Sequence, residues 1–171
     1  MGVKDYIGST KTVSSTLVYD QKELYRFLSK WFEKRQYDIE ETNYTEKISS
    51  EGKKIYAFEW IAEKKMDDYA KIKLVLRFNA EAETISVEGE DGKKKSAQKG
   101  TVTAKFTGYL DKDIESDWAL SKKTAYRTFM RELYDKVFNK GKIDNYGAQL
   151  SKDFNAIIAD LKTYLKTHRY D

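Results

Sequence analysis

The stretch EWIAEKKMDDYAKIKLVLRF (59–78) crowds its charges at the centre and keeps apolar residues at both ends. In its second half Ala70, Ile72, Leu74, Leu76 and Phe78 fall on every other position, with Lys71, Lys73 and Arg77 between them. A period of two is the mark of a strand with one dry and one wet face. Just upstream, Tyr56, Phe58, Trp60 and Ala62 alternate against Ile55, Ala57 and Ile61. The segment therefore reads as two antiparallel strands, and the charged run 63–68 reads as the polar turn between them.

Outward from this hairpin the pattern switches period at clear boundaries. Toward the N terminus, residues 11–19 are β-branched and alternate weakly, which predicts a first strand. Asp20 with Glu23 three residues on makes a capping-box pattern, and Leu24, Phe27, Leu28, Trp31 and Phe32 follow at helical spacing over 21–36. Residues 37–49, YDIEETNYTEKIS, form a polar strand suited to a sheet edge, and Gly52 marks its turn. Toward the C terminus, Asp91-Gly92 signals a hairpin and Lys99-Gly100 a second turn. Val102, Ala104, Phe106, Gly108 and Leu110 then line an inward face. Helical spacing returns over 116–139 (Trp118, Tyr126, Phe129, Met130, Leu133, Val137, Phe138), closing near Gly141. It recurs over 145–168 (Leu150, Phe154, Ile157, Ile158, Leu161, Leu165). The expectation is an α+β domain over 11–171, after a flexible N-terminal segment at 1–10. Its antiparallel sheet of about five to seven strands packs against an N-terminal helix and two C-terminal helices.

Composition narrows the chemistry. The 171 residues carry a net charge of +4, with 35% charged and 14% aromatic side chains and the two signs interleaved. Interleaving marks a solvated surface rather than a phosphate-binding stripe. The absence of cysteine removes disulfides, thiolate metal sites and a cysteine nucleophile together. No run approaches the roughly 20 apolar residues of a membrane span, and no signal-peptide h-region is evident, so the expected location is the cytoplasm.

Each polar cluster has a plain structural explanation. Asp67 and Asp68 are adjacent on a turn and point apart, with Lys64 and Lys65 beside them, so they do not read as a cation site. Asp111, Asp113, Glu115 and Asp117 resemble the opening of an EF-hand loop, but Ser116 stands where that loop needs Gly and Lys122 where it needs Glu. Acids there suit the first turn of a helix. His168, the single histidine, lies in THRYD without converging partners. No catalytic residue, metal ligand or cofactor is expected.

The order strand, helix, antiparallel strands, long C-terminal helix resembles the helix-grip (START-like) layout, in which a curved sheet wraps a helix over a ligand cavity. This chain departs from it in having one helix after the first strand and two at the end. The stretches AEKKMDDYAKIKL and YLDKDIESDW…RELYDKV resemble those of small archaeal α+β proteins, a resemblance that implies no activity. The favoured function is non-enzymatic binding of a small apolar ligand or a protein partner, a second copy of the chain included. Tyr56, Phe58 and Trp60 are the ligand-contact candidates, although such stripes also build cores. The alternative is nucleic-acid binding by a lysine-rich hairpin bearing Lys93, Lys94, Lys95 and Lys99. A carboxylate-based enzyme is the second alternative.

Overall fold

In a computed structural model, described over residues 3–6, 10–67, 70–112 and 140–170, the chain forms an antiparallel sheet with two helices on one face. The elements are β1 (Val3–Tyr6), β2 (Lys11–Tyr19), α1 (Gln21–Lys34), β3 (Asp38–Ile48), β4 (Lys54–Lys65), β5 (Ala70–Glu88), β6 (Lys94–Lys112) and α2 (Lys140–Thr167). Strands β3 to β6 form a meander in chain order. β2 and β1 return to the far side of β6, where they share one edge: β2 pairs from Lys11 opposite Phe106 to Tyr19 opposite Gln98, and β1 lies opposite 109–112. β3 forms the other edge.

The alternation read from 59–78 is the alternation of the sheet. Ala70, Ile72, Leu74, Leu76 and Phe78 are all buried, and so are Tyr56, Phe58, Trp60 and Ala62 on β4 and Val102, Ala104, Phe106 and Leu110 on β6. Leu24, Leu28, Trp31 and Phe32 of α1 and Leu150, Phe154, Ile157 and Leu161 of α2 close over the same face, giving a single hydrophobic core. Each large side chain removed from water in this way contributes roughly 1.5–3 kcal/mol. The opposite face carries ion pairs: Lys71 and Lys73 both reach Glu63, at 3.1 and 3.2 Å.

Several boundaries differ from the sequence expectation: a short strand stands at Val3–Tyr6 within the segment 1–10, and β4 runs on to Lys65 into the expected turn. Lys99-Gly100 is not a turn. β6 runs straight through it, and Gly100 stands opposite Ala82 on one side and Leu17 on the other. A Cβ on Gly100 would strike the Glu81 carbonyl oxygen and Ala82 Cα, so glycine is there for close approach of two strands. Because no turn interrupts them, β5 and β6 are 19 residues long each, and among the described residues four strands follow α1. The turn at Asp91-Gly92 does form, with Gly92 at φ +77°. The final helix begins at Lys140, ahead of the expected 145. The helix expected over 116–139 lies outside the described residues. Among those residues, no helix is long and apolar enough to cross a membrane.

The two helices are stitched side by side. Trp31 Nε1 donates to Asp160 at 2.8 Å and Tyr37 OH donates to the buried Asp153 at 2.7 Å. Phe27 stacks on Tyr164 with ring centres 4.4 Å apart.

Candidate binding site between helix α1 and the edge strand

One flank of α1 faces α2; the other faces β3 and leaves a trough. The trough has a volume of about 1230 Å³, walled by Tyr25, Arg26 and Ser29 of α1 and by Glu41, Tyr44 and Glu46 of β3. Tyr56, Thr84 and Gln98 form its floor. A smaller recess of about 400 Å³, lined by Tyr37, Asp38, Ile39 and Trp60, shares Tyr25, Ser29, Glu33 and Glu41 with it. The two spaces are thus parts of one channel along the helix.

Local sequence rules position both ends of this wall. At the start of α1 the Asp20 carboxylate accepts from the amides of Lys22 and Glu23, as an N-cap should. Gln98 on β6 adds a third hydrogen bond, its Oε1 accepting from the Gln21 backbone N–H at 2.7 Å. At the other end Gln36 takes φ +65°, while Tyr37 N donates to Phe32 O and Gln36 N to Glu33 O. This is a Schellman closure with glutamine where glycine is usual. It ends α1 at Lys34 rather than 36 and folds Tyr37 back against the Phe32 ring, 5.7 Å between centres. The opposite wall depends on a bulge. Pairing of β3 with β4 skips Thr42, so Glu41 (opposite Trp60) and Tyr44 (opposite Phe58) share a face although three residues apart.

Glu41 is the hub. Its Oε2 accepts from Tyr25 OH at 2.6 Å and from Trp60 Nε1 at 2.7 Å, while Oε1 takes no hydrogen bond among the described residues. The Tyr25 phenol is pushed up to about 12, by burial first and then by its bond to the Glu41 carboxylate. Tyr25 meets Tyr44, Phe58 and Trp60 edge-on, which holds its ring upright in the channel. Tyr44 and Ile48, both on β3, are large hydrophobic residues left exposed, at 47% and 70%. Beside the trough Gln21 is only 6% exposed, and its side-chain Oε1, closed off from solvent, has no hydrogen-bond partner among the described residues. A buried, unpaired amide oxygen costs about 1–3 kcal/mol.

The residues singled out in the sequence are distributed differently from one another. Tyr56 lines the trough, Trp60 lines the recess with its indole N–H on Glu41, and Phe58 is 2% exposed and stacked on Phe78 at 4.6 Å. Lys93 and Lys94 are exposed at the β5–β6 tip. Lys95 turns toward the start of α1, 3.7 Å from Asp20 and 4.0 Å from Glu23, with its ammonium over the Tyr170 ring. Lys99 lies mid-strand opposite Val18 and Glu83. Asp67 accepts from Tyr146 OH of α2 at 2.9 Å. Asp111 is 7% exposed and lies 3.6 Å from Lys73. Asp68, Asp113, Glu115, Ser116, Asp117 and Lys122 lie outside the described residues. His168 stacks on Tyr164 and contacts the Thr167 hydroxyl.

Glu41, Tyr25 and Gln21 were not singled out by sequence. Glu41 looks like one more charge on a polar edge strand, and only the bulge after it reveals which face it serves. Among the described residues no three His, Cys, Asp or Glu side chains converge as metal ligands do. No protein-family model matches the chain, and comparison with curated proteins found no match. What the trough holds is therefore read from its own side chains.

Proposed function

We propose that the protein is a non-enzymatic binding protein whose ligand lies in the trough between α1 and β3. The observation that carries this reading is the open space of about 1230 Å³ itself, bordered by the rings of Tyr25, Tyr44 and Tyr56. Binding sites combine aromatic walls with a few fixed polar groups, and these three tyrosines with Glu41 and Glu46 are that combination. The return of β2 to β6 and the long helix across the same face support the helix-grip resemblance as well. The ligand space differs from that layout: beneath α2 the sheet is filled by Leu74, Phe106, Leu150 and Phe154, and the opening lies beside α1 instead.

The lysine-hairpin reading has less beneath it, because Lys95 is already held by Asp20, Glu23 and Tyr170. Native mass spectrometry of gently purified protein, repeated after denaturation, tests the proposal. Excess mass that disappears on denaturation, and is absent from Tyr44→Ala protein that still folds, is the expected result. A ligand retained by Tyr44→Ala as fully as by the parent would move the site elsewhere.

A further inference from the structure

The two walls of the trough carry opposite charges that do not meet. On α1, Lys22, Arg26 and Lys30 recur every fourth residue, and all three line the trough. Each is exposed, and none makes an ion pair or hydrogen bond among the described residues. The acids of α1 and its cap are engaged elsewhere: Asp20 and Glu23 hold Lys95, and Glu33 accepts from the Ser29 hydroxyl. Across the gap, Glu46 lies 3.5 Å from Lys54, and Glu41 Oε2 takes the Tyr25 and Trp60 donors. Like charges four residues apart weaken a helix, yet α1 keeps three in a row along the rim of an open space.

The spacing bears on the ligand. Four residues of helix rise about 6 Å, so the three cations span about 12 Å in even steps. An extended nucleic-acid strand carries one negative charge per nucleotide at a comparable step. Tyr44 is the independent second feature. Its ring lies across from the cations, 6.2 Å from Tyr25, and is 47% exposed. A cationic track with exposed rings beside it holds a single strand, the phosphates on the cations and a base stacked on a ring. The β3 carboxylates then select the base. Glu41 is exposed and its Oε1 takes no hydrogen bond among the described residues, so it accepts from a base amine and repels a base carbonyl. An acidic peptide would set its own carboxylates against Glu41 and Glu46.

Resting on the trough as the ligand site, we propose that its ligand is a single-stranded nucleic acid. Its phosphates run along Lys22, Arg26 and Lys30, one base stacks on Tyr44, and the amine of a cytosine meets Glu41. A duplex keeps its bases paired and offers the trough only its backbone, so it binds more weakly.

The test is fluorescence anisotropy of labelled octadeoxycytidylate with the full chain over a series of salt concentrations. Binding is expected, with log K falling against log salt at a slope of about −2, or about −0.7 for each of three phosphates. Arg26→Ala is expected to reduce the slope to about −1.4. Tyr44→Ala is expected to weaken binding at least about fivefold, the lower end of a base–ring stack. Octathymidylate, with a carbonyl where cytosine has its amine, is expected to bind about fivefold more weakly. Binding that survives Arg26→Ala and Tyr44→Ala but is abolished by Lys93→Glu would put the strand on the β5–β6 hairpin and overturn the inference. Equal competition by octaglutamate would overturn it in favour of any polyanion. Absence of binding even at low salt would overturn it too. In that case a copurified mass lost from Tyr44→Ala would leave the trough reading intact with a ligand of another class, and no such mass would end both.

Discussion

Helices α1 and α2 lie against the same face of one sheet, and what lies beneath them differs. Under α2, Leu150, Ile157 and Leu161 meet Leu74, Phe106 and Leu110, all of them fully buried. Under α1 only the flank toward α2 is closed in that way. Its other flank faces the part of the edge strand that presents Glu41, Tyr44 and Glu46, and the space stays open. The difference lies in the edge strand: β4, β5 and β6 present apolar side chains inward, whereas β3, between Ile39 and Ile48, presents two carboxylates and a phenol. Stripping water from carboxylates costs free energy while removing apolar surface from water gains it, so a helix is drawn down onto an apolar face and held off a charged one.

The sharpest way to break this contrast is to make a filled position resemble an open one. Phe106→Ala hollows the part of the core beneath α2 and is expected to cost about 3–5 kcal/mol in urea denaturation. Less is expected where the helices are tied together. Tyr37→Phe leaves Asp153 Oδ2 buried without its 2.7 Å donor, a loss of about 1–3 kcal/mol by the same measurement.

The trough side predicts a pH effect in place of a packing effect. Because the folded protein holds Tyr25 protonated up to about 12 against an ordinary 10.0, the unfolded chain loses that proton first. The stability from this phenol is therefore whole below pH 10 and drains away as pH climbs from there through the folded value. A plot of urea midpoint against pH should fall less steeply above pH 10.0 for Tyr25→Phe than for the parent.

Smaller effects refine the comparison. Gln36→Gly relieves a left-handed glutamine at the end of α1 and should raise stability by about 0.5–1 kcal/mol. Lys22→Ala and Arg26→Ala, on the open flank, should stay within about 0.5 kcal/mol of the parent. A larger loss in thermal unfolding would mean these cations are structural and the flank is less open than its geometry says.

Most of the frame was legible because strand alternation is a strong signal. Residues 11–19 and 70–78, and the inward set on 102–110, fall where periodicity places them. Lys99-Gly100 misled because the dipeptide looks the same in a turn and in a strand pressed between two neighbours; only the pairing partners distinguish them. The trough was largely illegible for a related reason. The bulge at Thr42 changes which side of β3 each residue faces, and nothing in EETNY announces an extra residue. Tyr56, Phe58 and Trp60 were visible as a stripe, but a stripe does not say which of its members borders an opening.

The return of β2 to β6 also governs the order of assembly. β3, β4, β5 and β6 join through short turns, so each can close on its predecessor at little entropic cost. β2 cannot find its place until β6 exists, because Lys11 pairs with Phe106 and Tyr19 with Gln98. Pairings so distant in sequence slow folding. Helix α1 follows β2 after a single residue, so its apolar stripe of Leu24, Leu28, Trp31 and Phe32 is made early and seated late. The α1 wall of the trough is thus made before the sheet it covers is complete. During synthesis it is also the surface that must be kept from meeting another chain.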